Sequence, residues 1–129
     1  YRRKYRPSAE HPEPQATICV WALAADSEDE ARRLLQTREH WRAGFEQGLR
    51  RALVSPEEAA AYPYTDGERA TIDALRRKAI GGTADQVATK LRAIAQQLAL
   101  DELVVVTWTC DAAARHRSYA LLAGAFGLG

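Results

Sequence analysis

Hydrophobic and polar positions follow two rhythms along this chain. The run Ala16-Thr17-Ile18-Cys19-Val20-Trp21-Ala22-Leu23-Ala24-Ala25 is almost continuously apolar, the pattern of a strand covered on both faces. A second run, Leu103 to Thr109, has the same character. Elsewhere apolar residues recur every three or four positions, which is the helical period. Ser27 with Glu30 forms a capping box, and Glu28, Asp29 and Glu30 place negative charge where a helix dipole favours it. That helix is predicted to run to about Arg51, with Ala31, Leu34, Leu35, Trp41 and Phe45 on one side. Ser55-Pro56-Glu57-Glu58 caps a short alanine-rich helix that stops near Tyr62-Pro63. Thr65-Asp66-Gly67-Glu68 opens a third helix, with Ile72, Leu75 and Ala79 on one face. Thr83 with Gln86 caps a fourth, whose stripe is Val87, Leu91, Ile94 and Leu98. Asp111 caps the last helix, with Ala114, Tyr119, Leu122 and Phe126 assigned to its buried side.

Two strands and about five helices place the chain in the α/β class. The strands lie far apart in sequence and are joined by helices, so they are expected to be parallel neighbours linked by a right-handed crossover. A two-stranded sheet leaves unpaired edges and little apolar cover. The chain is therefore expected to be completed by more polypeptide or by another copy of itself. Residues 1–6 read as a helix end, and Pro7 to Gln15, with three prolines, reads as an extended linker.

Composition narrows the class without naming a chemistry. The 129 residues are 47% hydrophobic and 27% charged, with a formal net charge of +1. Neither sign dominates, so there is no electrostatic case for nucleic acid or an anionic membrane. No apolar run reaches membrane-spanning length. Cys19 and Cys110 do not form a metal-spaced cluster and fit a reduced, cytoplasmic protein. The chain contains no methionine and starts in what reads as mid-element, so residues 1–129 are expected to be a piece of a longer protein.

Following strand and helix directions brings Asp26-Ser27, Gly81-Gly82-Thr83 and Trp108-Thr109-Cys110-Asp111 to one end of the sheet. Gly81-Gly82-Thr83 fits either an anion site at a helix N-terminus or a tight turn into a capped helix. Trp108 fits either a surface that stacks on a flat ring or a buried wedge between sheet and helix. Cys110 lacks a histidine partner evident in the sequence, since His116 lies two turns into the next helix. Asp111 reads as a cap, and His11 and His40 read as solvated.

Several segments resemble a known family. Val20 to Leu34, with its Trp21-Ala22-Leu23-Ala24-Ala25-Asp26-Ser27 core, resembles the seventh-strand region of the bacterial luciferase-like flavin-dependent monooxygenases. Tyr5-Arg6-Pro7-Ser8 is similar to the segment after their sixth helix. Gly82-Thr83-Ala84-Asp85-Gln86-Val87 resembles their Gly-Thr/Ser-Pro-Glu-x-Val segment, and Asp101-Glu102-Leu103 with Asp111 to Tyr119 resembles their eighth strand and last helix. Ala84 stands in place of the usual proline, and Cys110 in place of an expected histidine or tyrosine.

The resemblance implies a partial (β/α)8 (TIM) barrel, its last two βα units, forming the C-terminal fragment of such an enzyme. It implies FMN or a deazaflavin in the intact parent, none held by this chain alone, and a small organic substrate. It makes Trp108, Cys110 and, less directly, Gly82 candidates for lining the pocket, with no catalytic residue and no metal ligand. The reading from a different class is a small dimeric α/β binding or structural module without catalysis.

Overall fold

The structure, a computed structural model, describes residues 1–128. After a short 3-10 turn at Arg2–Lys4 come strands β1 (Thr17–Trp21) and β2 (Leu23–Ala25). Helices α1 (Glu28–Glu46), α2 (Pro56–Ala61) and α3 (Asp66–Lys78) follow, then β3 (Gly81–Thr83), α4 (Ala84–Gln97), β4 (Glu102–Val106) and α5 (Ala112–Phe126).

The expected partial barrel built from two long strands is corrected here. The described chain is a small α/β domain with four short strands in two separate parallel pairs, β1 with β4 and β2 with β3. The first predicted strand does not continue through Ala22 as one element. Cys19 lies opposite Val104 and Trp21 opposite Val106, and then the chain changes partner. Ala22 N–H donates to Val106 C=O at 3.1 Å, while Leu23 N–H donates to Ile80 C=O at 3.0 Å. From Leu23 onward the pairing is with Gly81–Thr83. The sequence pattern missed β3 because two glycines and a threonine carry no apolar periodicity.

The core forms where this segment changes sheets. Ala22, Ala24, Val87, Leu91 and Leu122 make one cluster, against which Val20, Leu103 and Val105 pack. Leu23, Ala25, Ala31 and Leu34 make a second, joined by Trp21 and Ala114. Two buried hydroxyls bind the β1–β2 backbone to neighbouring elements. Ala24 N–H donates to Ser118 Oγ at 2.9 Å, and Thr107 Oγ donates to Ala22 C=O at 2.8 Å. The backbone here makes an irregular passage between sheets, and these side chains satisfy groups that a regular ladder would pair.

Several faces differ from the pattern-based expectation. Helix α1 stops at Glu46 because Gly48 takes a left-handed φ of 76° and its N–H returns to Phe45 C=O. In α5 the buried residues are Ser118 and Leu122, whereas Tyr119 and Phe126 are exposed. Phe126 instead lies under the Arg92 guanidinium at 4.7 Å. Leu98 is exposed, so the α4 stripe ends a turn earlier than expected. Strands β1 and β4 are covered on one face only. Thr17, Cys19, Glu102 and Val104 are exposed on the other.

Removing the Ser118 hydroxyl orphans a buried N–H that was paired. Ser118→Ala is expected to destabilise the fold by about 1–3 kcal/mol, measured by urea unfolding. A change below about 0.5 kcal/mol would show that the hydroxyl is not needed at this crossing.

Candidate functional site

The exit of β4 is held against α1. Thr107 is buried, with its N–H donating to Tyr119 Oη at 3.1 Å. This fixes the backbone from which Trp108, Thr109 and Cys110 leave the strand. Trp108 meets Trp41 edge-to-face, with ring centroids 4.9 Å apart and planes at 90°. Trp41 in turn lies nearly parallel to Phe45, at 5.1 Å and 16°. One turn back on α1, Thr37 Oγ donates to Val54 C=O at 2.9 Å and lies 3.9 Å from Cys110 Sγ. One face of α1 thus carries Thr37, Arg38, Trp41 and Phe45 at helical spacing beside the strand exit.

Trp21, at the end of β1, completes this aromatic ledge. The Arg38 guanidinium lies over its indole, 4.1 Å from the ring centroid. Trp21 Nε1 and Arg38 Nε are both sealed from solvent with no hydrogen-bond partner among the described residues. Burial pushes the Arg38 pKa below its ordinary value, and nearby Arg42 adds to the effect. Arg42 lies over the Phe45 ring and pairs with Glu46.

The three sequence-predicted pocket residues do not converge. Trp108 and Cys110 both lie against α1. Gly82 lies in a different depression, of 560 Å³, with Glu28, Leu35, Gln36 and Lys90 among its lining residues. The turn reading of Gly81-Gly82-Thr83 accounts for its geometry. Gly82 has a φ of 147°, which favours glycine, and a side chain there would collide with Gln86. Gln86 Oε1 accepts from Thr83 N–H at 3.0 Å, and Gln86 Nε2 donates to Glu28 Oε1 at 2.5 Å. A side-chain amide and a nearby carboxylate therefore occupy the helix entrance, leaving little attraction for an anion.

Other candidate groups are also engaged. Asp26 holds Arg117 through two hydrogen bonds, at 2.6 and 3.1 Å, and this contact keeps its carboxyl below the usual range. Cys110 has Thr37 beside it, and a hydroxyl is no base for a thiol. Among the described residues no group of His, Cys, Asp and Glu has the spacing of a metal site.

His40 corrects the expectation of a solvated histidine. It is 5% exposed, with Nδ1 3.1 Å from Tyr64 Oη and its ring edge-on to Tyr62 and Tyr64. Arg51 crosses the same region and donates to Glu68 at 2.5 Å and to Tyr62 Oη at 2.8 Å. Glu68 also accepts from Thr65 N–H at 2.8 Å, closing the α3 capping box. That backbone hydrogen bond, with Arg51, holds the Glu68 carboxyl low. This network fastens α1 to α2 and α3. Its sequence signal was the pair Tyr62 and Tyr64 around Pro63, opposite a lone histidine on a charged helix.

The comparisons with known proteins place the chain among longer ones. No protein-family model matches it. The uncharacterized protein YceB of Bacillus subtilis strain 168 is 29% identical over 126 residues, covering 98% of this chain and 38% of that protein. The uncharacterized protein YwcH of the same organism is 32% identical over 127 residues, again covering 98% of this chain and 38% of that protein. The crystal structure of apo-MsnO8 superposes with a TM-score of 0.85 at 29% identity, over 100% of this chain and 40% of that one. The chain thus spans about two fifths of the length of the proteins it matches. These findings correct the family resemblance. The similarity is to uncharacterized Bacillus proteins and to MsnO8, and nothing they carry indicates a luciferase-like family. The fold is likewise that of the matching portion of MsnO8.

The buried histidine gives a pH prediction. Burial, reinforced by Arg51, lowers the His40 pKa below the ordinary value of about 6.5, with Glu68 opposing. The unfolded chain then binds a proton that the folded chain resists. Stability is full above pH of about 6.5 and declines as pH falls from there toward the folded value. Urea midpoints measured across this window are expected to fall for the native chain and to lose that component in His40→Gln. Identical slopes for the two would contradict the assignment.

Proposed function

We propose that this chain is one part of a longer flavin-dependent oxidoreductase, a monooxygenase in its specific form, and that it is inactive alone. The observation that carries this reading is the aromatic and cationic ledge at the ends of β1 and β4, made by Trp21, Arg38, Trp41 and Trp108. Indole faces and edges suit a flat heteroaromatic ring, and a guanidinium without an acidic partner suits an anionic one. Trp21 Nε1 and Arg38 Nε are sealed, so a ligand would meet the outer guanidinium nitrogens of Arg38 rather than these two atoms. Reduced flavin, when bound, would supply two electrons to dioxygen, so that one oxygen atom could be transferred to a small organic substrate and the other leave as water. Trp108 would wall the ring side of such a pocket, with Cys110 beside it, and Arg38 would face an anionic group. Gly82 shapes the turn into α4 and has no part in this surface.

The reading also rests on what is left uncovered. On the β1–β4 face Thr17 pairs with Glu102, while Cys19 and Val104 are exposed with no layer over them among the described residues, and apolar strand positions gain stability when packed. The longer relatives have enough polypeptide to supply that layer. Both thiols are free, which supports a reduced, cytoplasmic location. Among the described residues no helix is long and apolar enough to cross a membrane.

The same bare face favours a second reading, a small dimeric α/β binding or structural module in which two copies cover each other. FMN separates the two. Expressed together with the polypeptide that covers its bare face, the chain is expected to quench FMN fluorescence on binding, with affinity about tenfold weaker in Trp108→Ala. The chain alone is expected to show no flavin-dependent turnover. Absence of FMN binding by the covered protein, or turnover by the chain alone, would contradict the first reading.

A further inference from the structure

Three arginines are partly buried: Arg38, Arg42 and Arg51. Two of them are neutralised, Arg42 by Glu46 and Arg51 by Glu68. Arg38 forms no ion pair and no hydrogen bond among the described residues, and its Nε is sealed from water. The nearest carboxylate in sequence, Glu39, is engaged by Arg76, which donates to both of its oxygens at 3.0 and 2.9 Å. The indole N–H of Trp21, under Arg38, is a second sealed donor without an acceptor.

Two adjacent donors without an acceptor are costly in a partly dry setting, and a fixed cation without a counter-charge is more so. The cation–π contact with Trp21 holds the guanidinium flat and offsets only part of that cost. Held this way, Arg38 keeps its terminal NH2 groups free of protein acceptors, in the fork geometry that matches a carboxylate or phosphate. Trp41, one turn further along α1, stacks on Phe45 and meets Trp108 edge-to-face, leaving the Trp108 indole as the aromatic group beside Arg38's ledge.

We propose that Arg38, seated on Trp21, is an oxyanion site that binds, through its outer guanidinium nitrogens, the carboxylate or phosphate of a small aromatic ligand whose ring packs against the Trp108 indole. The proposal rests on the reading of the ledge as a ligand surface and names the group that recognises the ligand's charge.

Inorganic phosphate is the simplest probe, and the indole N–H resonances of the chain are the readout. Trp21→Phe assigns the Trp21 signal among those of Trp21, Trp41 and Trp108. Phosphate is expected to shift the Trp21 resonance saturably. Binding should weaken by about tenfold or more in Arg38→Met, which keeps the apolar stem and removes the charge. Arg38→Lys should retain part of the affinity, and Arg50→Met, at an exposed arginine, should leave it unchanged. Resonance dispersion like that of the native chain confirms that each variant is folded. No saturable shift, or an equal shift in Arg38→Met, would overturn the proposal. So would a Trp21 shift that follows protein concentration rather than phosphate, because a carboxylate of a second copy would then fill the site. Phosphate is tested on the chain and FMN on the covered protein, so either reading can fail without the other.

Discussion

The structure depends on one extended segment serving two sheets. At Ala22 and Leu23 the backbone gives one N–H to β4's last residue and the next to Ile80, just before β3. The break keeps Ala22, Leu23 and Ala24 almost fully buried, with their polar groups satisfied from outside the ladders by Ser118 and Thr107. Small side chains at Ala22, Ala24 and Ala25 let α1, α4 and α5 approach this crossing closely. Everything at the exits of the strands, including Trp21 and Trp108, takes its position from this crossing.

Two polar systems sit on opposite sides of α1's C-terminal half. Toward α2 and α3, His40, Arg51, Glu68 and the two tyrosines form a satisfied network that fastens helices together. Toward the strand exits, Arg38 and Trp21 remain without acceptors. Satisfied buried networks fix one arrangement, and an orphaned buried donor is completed by a water or another group, or is left as strain. This contrast within one helix is the reason for placing ligand recognition on the ledge and structural fastening on the other side.

Much of the fold was legible in local pattern. The caps at Ser27, Ser55, Thr65 and Asp111 stand where the helices begin, because capping depends on a few neighbouring residues. The parallel pairing of the two apolar runs followed from their separation. Tertiary packing decided what local pattern could not. Tyr119 and Phe126 have apolar rings yet face outward, while Ser118 is buried because its hydroxyl meets a backbone group. His40 reads as solvated from its charged neighbours and is buried because tyrosines from a distant loop surround it. Of the candidate site, Trp108 and Cys110 were legible as neighbours at a strand exit. The Arg38–Trp21 contact was not, since no spacing rule links residues on a helix and a strand.

Cys19 and Val104 lie bare on the β1–β4 face, and on the proposed reading another layer covers them. Sedimentation velocity on the isolated chain across a range of concentrations, with Val104→Glu as the matched variant, is the measurement that decides this. Concentration-dependent self-association that the added charge abolishes is the expected result. A well-folded, non-exchanging monomer at every concentration would contradict it.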